Sequence, residues 1–225
     1  MFGIYSKLVA AIAQGRLRQP PQAMTIPMSE PPPLPQPPYW SNAVITHAMA
    51  DSRRADWERV LARYRGELKS VLEIGSYEGQ SALFWSNFLG AHVTCIDTWT
   101  KVWHGANEPR EVERHFDANL GRRARKIKSE STPALHRLAR DGAMFDLVYV
   151  DGDHSRDQVM VDSILAWRCL RVGGVMIWDD YESFRPEADD RARPVSAVNY
   201  FVAMQGKAVS VIENTGQQLF ARKME

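Results

Sequence analysis

The stretch from Ser70 to Asp97, SVLEIGSYEGQSALFWSNFLGAHVTCID, does most to limit what this chain can fold into. Val71, Leu72 and Ile74 form a short apolar run, as a strand buried on both faces requires. A turn bounded by Gly75 and Gly79 follows. Residues 80–88 read as a short helix, apolar on most sides. Residues 92–96 are a second strand, with Asp97 at its C-terminal end. The alternation continues. Helices are expected at 55–69, 109–120, 132–140, 155–170 and 195–205, and strands at 124–128, 145–150 and 175–178. Gly173 and Gly174 fall where the helix over 155–170 would want a C-cap. Residues 208–212 and 217–221, separated by Glu213, Asn214, Thr215 and Gly216, read as an antiparallel hairpin. The class is α/β: a doubly wound, mainly parallel seven-stranded sheet with helices on both faces, ending in a hairpin.

The glycine turn speaks to ligand chemistry. A ligand can press against the backbone there because no Cβ intrudes. The following helix points free N–H groups and its positive dipole end at that ligand. Asp97 stands about 20 residues beyond Gly75, the spacing at which an acid bonds the ribose hydroxyls of a nucleotide cofactor. A dinucleotide site wants G-x-G-x-x-G. Here the pattern is E-x-G-x-x-x-G, and Tyr77 holds the place of the second glycine, which obstructs a pyrophosphate. Glu73 would face the ammonium of an amino acid end. S-adenosylmethionine satisfies both ends; a ligand-free α/β turn is the alternative.

A second group is acidic. Asp151 ends the fourth expected strand, and Asp179 and Asp180 end the fifth. Neighbouring strands lie about 4.8 Å apart, so these three carboxylates would converge and raise one another's pKa. A bound divalent cation removes the conflict, and all-oxygen ligation suits Mg²⁺. The alternative is that some of these acids cap helices, which is the favoured reading for Asp153. His154 could take a proton from a substrate hydroxyl, or could simply hold its loop. Trp99, Trp103, Trp178, Tyr181 and His104 could wall or cover the cleft, and Tyr39 and Trp40 could close over it.

The chain's 225 residues suffice for one domain with extensions. A net charge of +1 makes no case for nucleic acid or an anionic membrane as a partner. No apolar run approaches the roughly 20 residues needed to span a bilayer. Residues 1–18 read as a small helix or a loosely ordered terminus. Residues 19–38 hold nine of the 13 prolines and read as an extended arm or linker that could pack over a neighbouring subunit, so a homo-oligomer stays open. Residues 39–225 are the folded domain. Cys95 and Cys169 read as buried free thiols, which suits a cytoplasmic protein.

With both groups placed, the chain resembles the class I S-adenosylmethionine-dependent methyltransferases, and within them the metal-dependent O-methyltransferases. VLEIGSYEGQSA is similar to the cofactor turn of catechol O-methyltransferase. FDLVYVDGDHSRDQVMVDSILAWRCLRVGGVMIWDDY looks more like the family that includes the macrolide-sugar O-methyltransferases. The likeness covers about residues 55–222. It implies a Rossmann-like methyltransferase fold. It also implies that Glu73, Gly75, Ser76, Tyr77, Gly79 and Ser81 line the cofactor, with Asp97 on its ribose and Glu130 and Ser131 near the adenine. Asp151, Asp179 and Asp180 would hold Mg²⁺; the catalytic candidates, Asp151 and His154, come from their place at the strand tip. The catechol enzyme has Asn where Asp180 stands and Lys where His154 falls, so the base stays open. The implied substrate is a small-molecule hydroxyl on a sugar, catechol or other natural product. The rival readings are a non-catalytic binding module of the same fold and, against Tyr77, an NAD-linked oxidoreductase.

Overall fold

The strands are β1 (Ser70–Ile74), β2 (His92–Asp97), β3 (Ala124–Lys128), β4 (Phe145–Val150), β5 (Leu170–Trp178), β6 (Val209–Asn214) and β7 (Leu219–Lys223). They form one seven-stranded sheet in the order β3-β2-β1-β4-β5-β7-β6. β1 to β5 run parallel, and β7 lies antiparallel between β5 and β6. The chain steps outward from β1 to β3, then returns to the other side of β1 with β4. That reversal opens a crevice at the C-terminal ends of β1 and β4. The computed structural model describes residues 39–100, 108–182 and 189–225. The expectations for residues 1–18 and 19–38, for Trp103 and for His104 lie outside the described residues.

Among the described residues six α-helices cover the sheet: α1 (Arg54–Leu61), α2 (Gln80–Phe84), α3 (Pro109–Leu120), α4 (Ser131–Arg140), α5 (Arg156–Cys169) and α6 (Pro194–Gln205). The two-residue period of the strands sorts the core into two layers. Val71, Cys95, Leu147, Tyr149 and Ile177 face Trp57, Phe84, Trp85, Phe88 and Phe116. Leu72, Ile74, Val148, Val150 and Trp178 face Leu135, Val159, Trp167 and Phe201. The first layer is a cluster of rings, with Trp57 centred 4.6 Å from Trp85 and 5.7 Å from Tyr149. Cys95 and Cys169 are buried and unpaired, as expected.

Four local expectations change. The helix expected over 55–69 ends at Leu61 and tightens into a 3-10 turn over Ala62–Tyr64. The helix expected over 80–88 widens at Trp85–Leu89 into a π turn that ends on left-handed Gly90. Gly173 and Gly174 are not a helix cap. They lie inside β5, where the pairing with β4 jumps from Phe145–Leu170 to Leu147–Val175. A Cβ on Gly174 would fall 2.9 Å from the Asp146 carbonyl, so glycine is what lets the extra residues bulge against β4. The hairpin strands sit about two residues further along the chain than expected, because β7 takes its register from β5, with Trp178 opposite Leu219.

Gly75 is where the sheet comes closest to its own connecting loops. It has φ +84°, and a Cβ there would stand 2.0 Å from the Asp151 carbonyl oxygen. Gly90 has φ +66° and open space around it. Gly75→Ala should therefore cost roughly 3–4 kcal/mol, from overpacking and backbone strain together. Gly90→Ala should cost only about 1 kcal/mol. Urea unfolding of the two variants measures the difference, and equal losses would contradict this packing.

Candidate functional site

A cleft of about 460 Å³ opens over the C-terminal ends of β1, β2, β4 and β5. One wall is the β1–α2 turn. Asp97 holds that turn in shape: its Oδ2 accepts the backbone N–H groups of Ser76 and Tyr77, both at 2.9 Å. Its Oδ1 accepts the Trp99 N–H at 2.8 Å, and the Trp99 indole N–H donates to the Tyr77 carbonyl at 2.9 Å. Among the described residues, the non-glycine positions with positive φ are Tyr77, Trp99 and Asp180. Each follows the tip of a strand. Backbone strain is thus gathered at the cleft, where tertiary contacts over-determine it.

Of the expected cofactor residues, Gly75, Ser76, Tyr77, Ser81, Asp97, Glu130 and Ser131 line the cleft. Two expected cofactor residues do not. A Cβ on Gly79 would meet Leu120 Cδ1 at 2.6 Å, so that glycine admits α3 rather than a ligand. Glu73 is fully buried beneath the cleft wall, because strand alternation sends its side chain into the ring layer. There its Oε2 accepts the Trp85 indole N–H at 2.7 Å, while Oε1 has no hydrogen-bond partner. Burial pushes the Glu73 carboxyl from its ordinary 4.5 up to about 7, and the polar groups of Ser76, Trp85 and Ser81 offset only part of that. Beyond Ser131 the wall is Gln158 of α5, whose Nε2 donates to Ser131 Oγ, Thr132 Oγ1 and Asp162 Oδ1.

The acidic wall follows from the strand register. Val150 pairs with Trp178, so Asp151 and Asp179 leave neighbouring strands at the same level. Asp151, His154 and Asp180 present ligand atoms within 4.8 Å of one another. His154 Nδ1 lies 3.5 Å from Asp180 Oδ2. Asp179 is engaged elsewhere. Its Oδ1 accepts Arg53 Nε–H at 2.9 Å and Gln218 Nε2–H at 2.6 Å. Arg53 Nη2 also reaches Asp180 Oδ1 at 3.1 Å. Burial, then Asp179, Asp180 and Glu73, push Asp151 well above the carboxylate range. Asp153 bonds a loop amide rather than capping α5: its Oδ1 accepts the Ser155 N–H at 2.8 Å, and Ser155 itself is the cap, its Oγ accepting the Gln158 N–H.

The expected aromatic walls are elsewhere. Trp99 packs on Phe116, the Trp178 indole N–H bonds Ser163 Oγ, and the Tyr181 hydroxyl bonds Asn199. Tyr39 packs edge-on against Phe84 and, with Trp40, lines a separate recess. Sequence reading missed Arg53, His47 and Gln218, which come from segments without a motif, and Gln158, which lies inside the stretch quoted from Phe145 but had no role assigned there.

The residues present fit two groups. The crowded carboxyl groups of Asp151, Asp179 and Asp180, with His154 beside them, suit a divalent cation. The orphaned oxygens of Glu73 and Ser76, beside a glycine turn with cleft-facing hydroxyls, suit an amino-acid-bearing adenosyl cofactor.

Residues 72–181 match a family described as a methyltransferase domain. No curated protein sequence matches the chain. Among solved structures, the MycE methyltransferase from the mycinamycin biosynthetic pathway, in complex with Mg and SAH, is similar over 76% of this chain, with 20% identity and a TM-score of 0.55. That match covers 49% of MycE, so this chain spans about half the length of that relative. MycE is also known in complex with Mg, SAH and mycinamycin VI. The SAH-bound methyltransferase PaMTH1 of Podospora anserina is similar over 100% of this chain and 97% of its own, with 19% identity and a TM-score of 0.56. An O-methyltransferase from Bacillus cereus in complex with SAH is similar over 80% of this chain and 84% of its own, with 16% identity and a TM-score of 0.59. At these identities the likeness is one of fold.

Glu73 makes stability depend on pH in a stated direction. The folded protein keeps its proton to about pH 7, whereas the unfolded chain releases it near 4.5. The folded state is therefore favoured less as pH rises through that window. Glu73→Gln removes the effect and keeps an acceptor for Trp85. Between pH 5 and pH 8, wild type should lose roughly 2–3 kcal/mol relative to Glu73→Gln, at about 1.4 kcal/mol per unit. Urea unfolding at the two pH values checks it.

Proposed function

We propose that this chain, whose residues 72–181 are a methyltransferase domain on a class I methyltransferase fold, moves a methyl group from S-adenosylmethionine to a hydroxyl of a small molecule with the help of a divalent cation, Mg²⁺ by its donor set. One observation carries the reading. The tips of β1, β4 and β5 are neighbours, so the glycine turn and the Asp151, Asp179, Asp180 and His154 side chains share one cleft.

S-adenosylmethionine, when bound, supplies a sulfonium-activated methyl. Gly75, Ser76, Tyr77 and Ser81 would hold its amino acid end, Asp97 its ribose, and Glu130, Ser131 and Gln158 its base. Asp97 Oδ1 and Oδ2 already fix the turn, so its part in ribose recognition is joined to holding the backbone there. Glu73 acts from below, as a polar floor beneath Ser76. A divalent cation, when bound, lowers the pKa of an acceptor hydroxyl. Asp151, Asp179 and Asp180 would hold it, and together they orient the acceptor oxygen toward the cofactor side of the cleft. His154 takes the hydroxyl proton at Nε2, with Nδ1 turned toward Asp180.

A cleft of about 460 Å³ is of the size that small molecules occupy. The likeness to MycE, whose complex holds mycinamycin VI, points the same way. Among the described residues no helix is long and apolar enough to cross a membrane.

The test follows methyl transfer to diols, catechols and sugars, with Mg²⁺ or with a chelator. Turnover should need the cation. His154→Gln should lower kcat by about 100-fold or more with Mn²⁺ affinity near wild type, as expected for a lost base. Asp180→Ala should abolish turnover and weaken Mn²⁺ binding while SAH affinity stays within about threefold. Chelator-insensitive turnover would remove the cation from the mechanism, and SAH binding without product from any acceptor would favour a non-catalytic module.

A further inference from the structure

Arg53 stands inside the acidic wall without a part in the reaction proposed above. Its Nε donates to Asp179 Oδ1 at 2.9 Å and its Nη2 to Asp180 Oδ1 at 3.1 Å, so one guanidinium spans both carboxylates. Its side chain is 15% exposed. Burial opposes its charge, but Asp179 and Asp180 outweigh burial and hold it protonated. It is a fixed cation on the oxygens that a divalent ion would need.

We propose that Arg53 is a built-in counter-ion that competes with the divalent cation for Asp179 and Asp180, so that the cation enters by exchange and Arg53 lets go of at least Asp180. The inference rests on the reading of these acids as a cation site. Two arguments carry it. The first is oxygen supply. Asp179 Oδ1 already accepts from both Arg53 and Gln218, and Asp180 Oδ1 accepts from Arg53. A small ion about 2.1 Å from either oxygen would meet the guanidinium at close range, where like charges repel strongly in a half-buried site. The second is anchorage. Arg53 and Trp57 lie four residues apart at the start of α1, on one face. The Trp57 indole N–H donates to Gln218 Oε1 at 2.8 Å, and Gln218 in turn holds Asp179. Without Arg53, α1 stays tied to the acidic wall through Trp57 and Gln218. The exchange thus asks for a side-chain swing alone, and Ser52 Oγ, 3.3 Å from Nη1, already offers a partner outside the cluster.

The device holds the wall together when no cation is present, and it lowers affinity for the ion. Mn²⁺ binding, read from the free-ion electron paramagnetic resonance signal, tests it on the full chain without cofactor. Arg53→Gln should bind Mn²⁺ roughly tenfold more tightly than wild type, the order expected for removing one nearby unit charge. It should also melt lower without metal and gain more in melting temperature from Mn²⁺. Arg53→Lys keeps the charge but cannot bridge two carboxylates, and should bind several-fold more tightly than wild type; it serves if the Gln variant does not fold. Equal or weaker affinity in every folded variant would overturn the exchange while leaving the cation site standing. No Mn²⁺ binding by any of the three proteins would overturn the cation site and the exchange with it.

Discussion

Three carboxylates on neighbouring strand tips repel one another, and the acidic end of this molecule is organised around meeting that repulsion. β4 and β5 pair in parallel register, so Asp151 and Asp179 cannot move apart without breaking the sheet. Asp180 follows in a left-handed backbone conformation that turns its carboxylate back toward His154. Positive charge therefore has to be brought to them. In this structure Arg53 brings it, and Gln218 and Trp57 secure the arrangement from the hairpin and from α1. The residue that opens α1 and the residue that opens the last strand are thereby tied to the same carboxylate, about 125 residues from Arg53 in one direction and 40 from Gln218 in the other.

The cofactor end is built on the same constraint in a different form. There the problem is a tight turn rather than a surplus of charge. Asp97 solves it by accepting three backbone N–H groups, two from the β1–α2 turn and one from its own loop. Such charge-assisted bonds hold Tyr77 and Trp99 in conformations that residues with side chains seldom adopt. The cleft is thus lined by backbone held rigid before any ligand arrives, which limits the ordering cost of binding.

Beneath both ends lies the ring layer of Trp57, Phe84, Phe88, Trp85 and Tyr149. It joins the site to the core. Trp57 supports the acidic wall through Gln218, while Trp85 supports Glu73 under the turn. A carboxyl so placed sits at the boundary between charged and neutral near pH 7, because burial disfavours its charge and its second oxygen lacks a partner. Core packing and site electrostatics are therefore one problem in this protein.

The sequence by itself determined the doubly wound sheet, because alternating apolar strands and amphipathic helices have few other ways to bury their faces. It also determined which acids and glycines would stand at the strand tips, since a residue just past a parallel strand has only one edge to go to. Tertiary structure decided what those residues do there. Gly79 serves α3 and Glu73 serves the ring layer, because side-chain direction depends on register and on what packs opposite. Trp99, Trp178 and Tyr181 went to the core for the same reason. Arg53, His47 and Gln158 reach the cleft, and Gln218 reaches Asp179 behind it, from segments far apart in the chain. No local pattern marks such residues, because their position is set only when α1, α5 and the closing hairpin dock on the finished sheet.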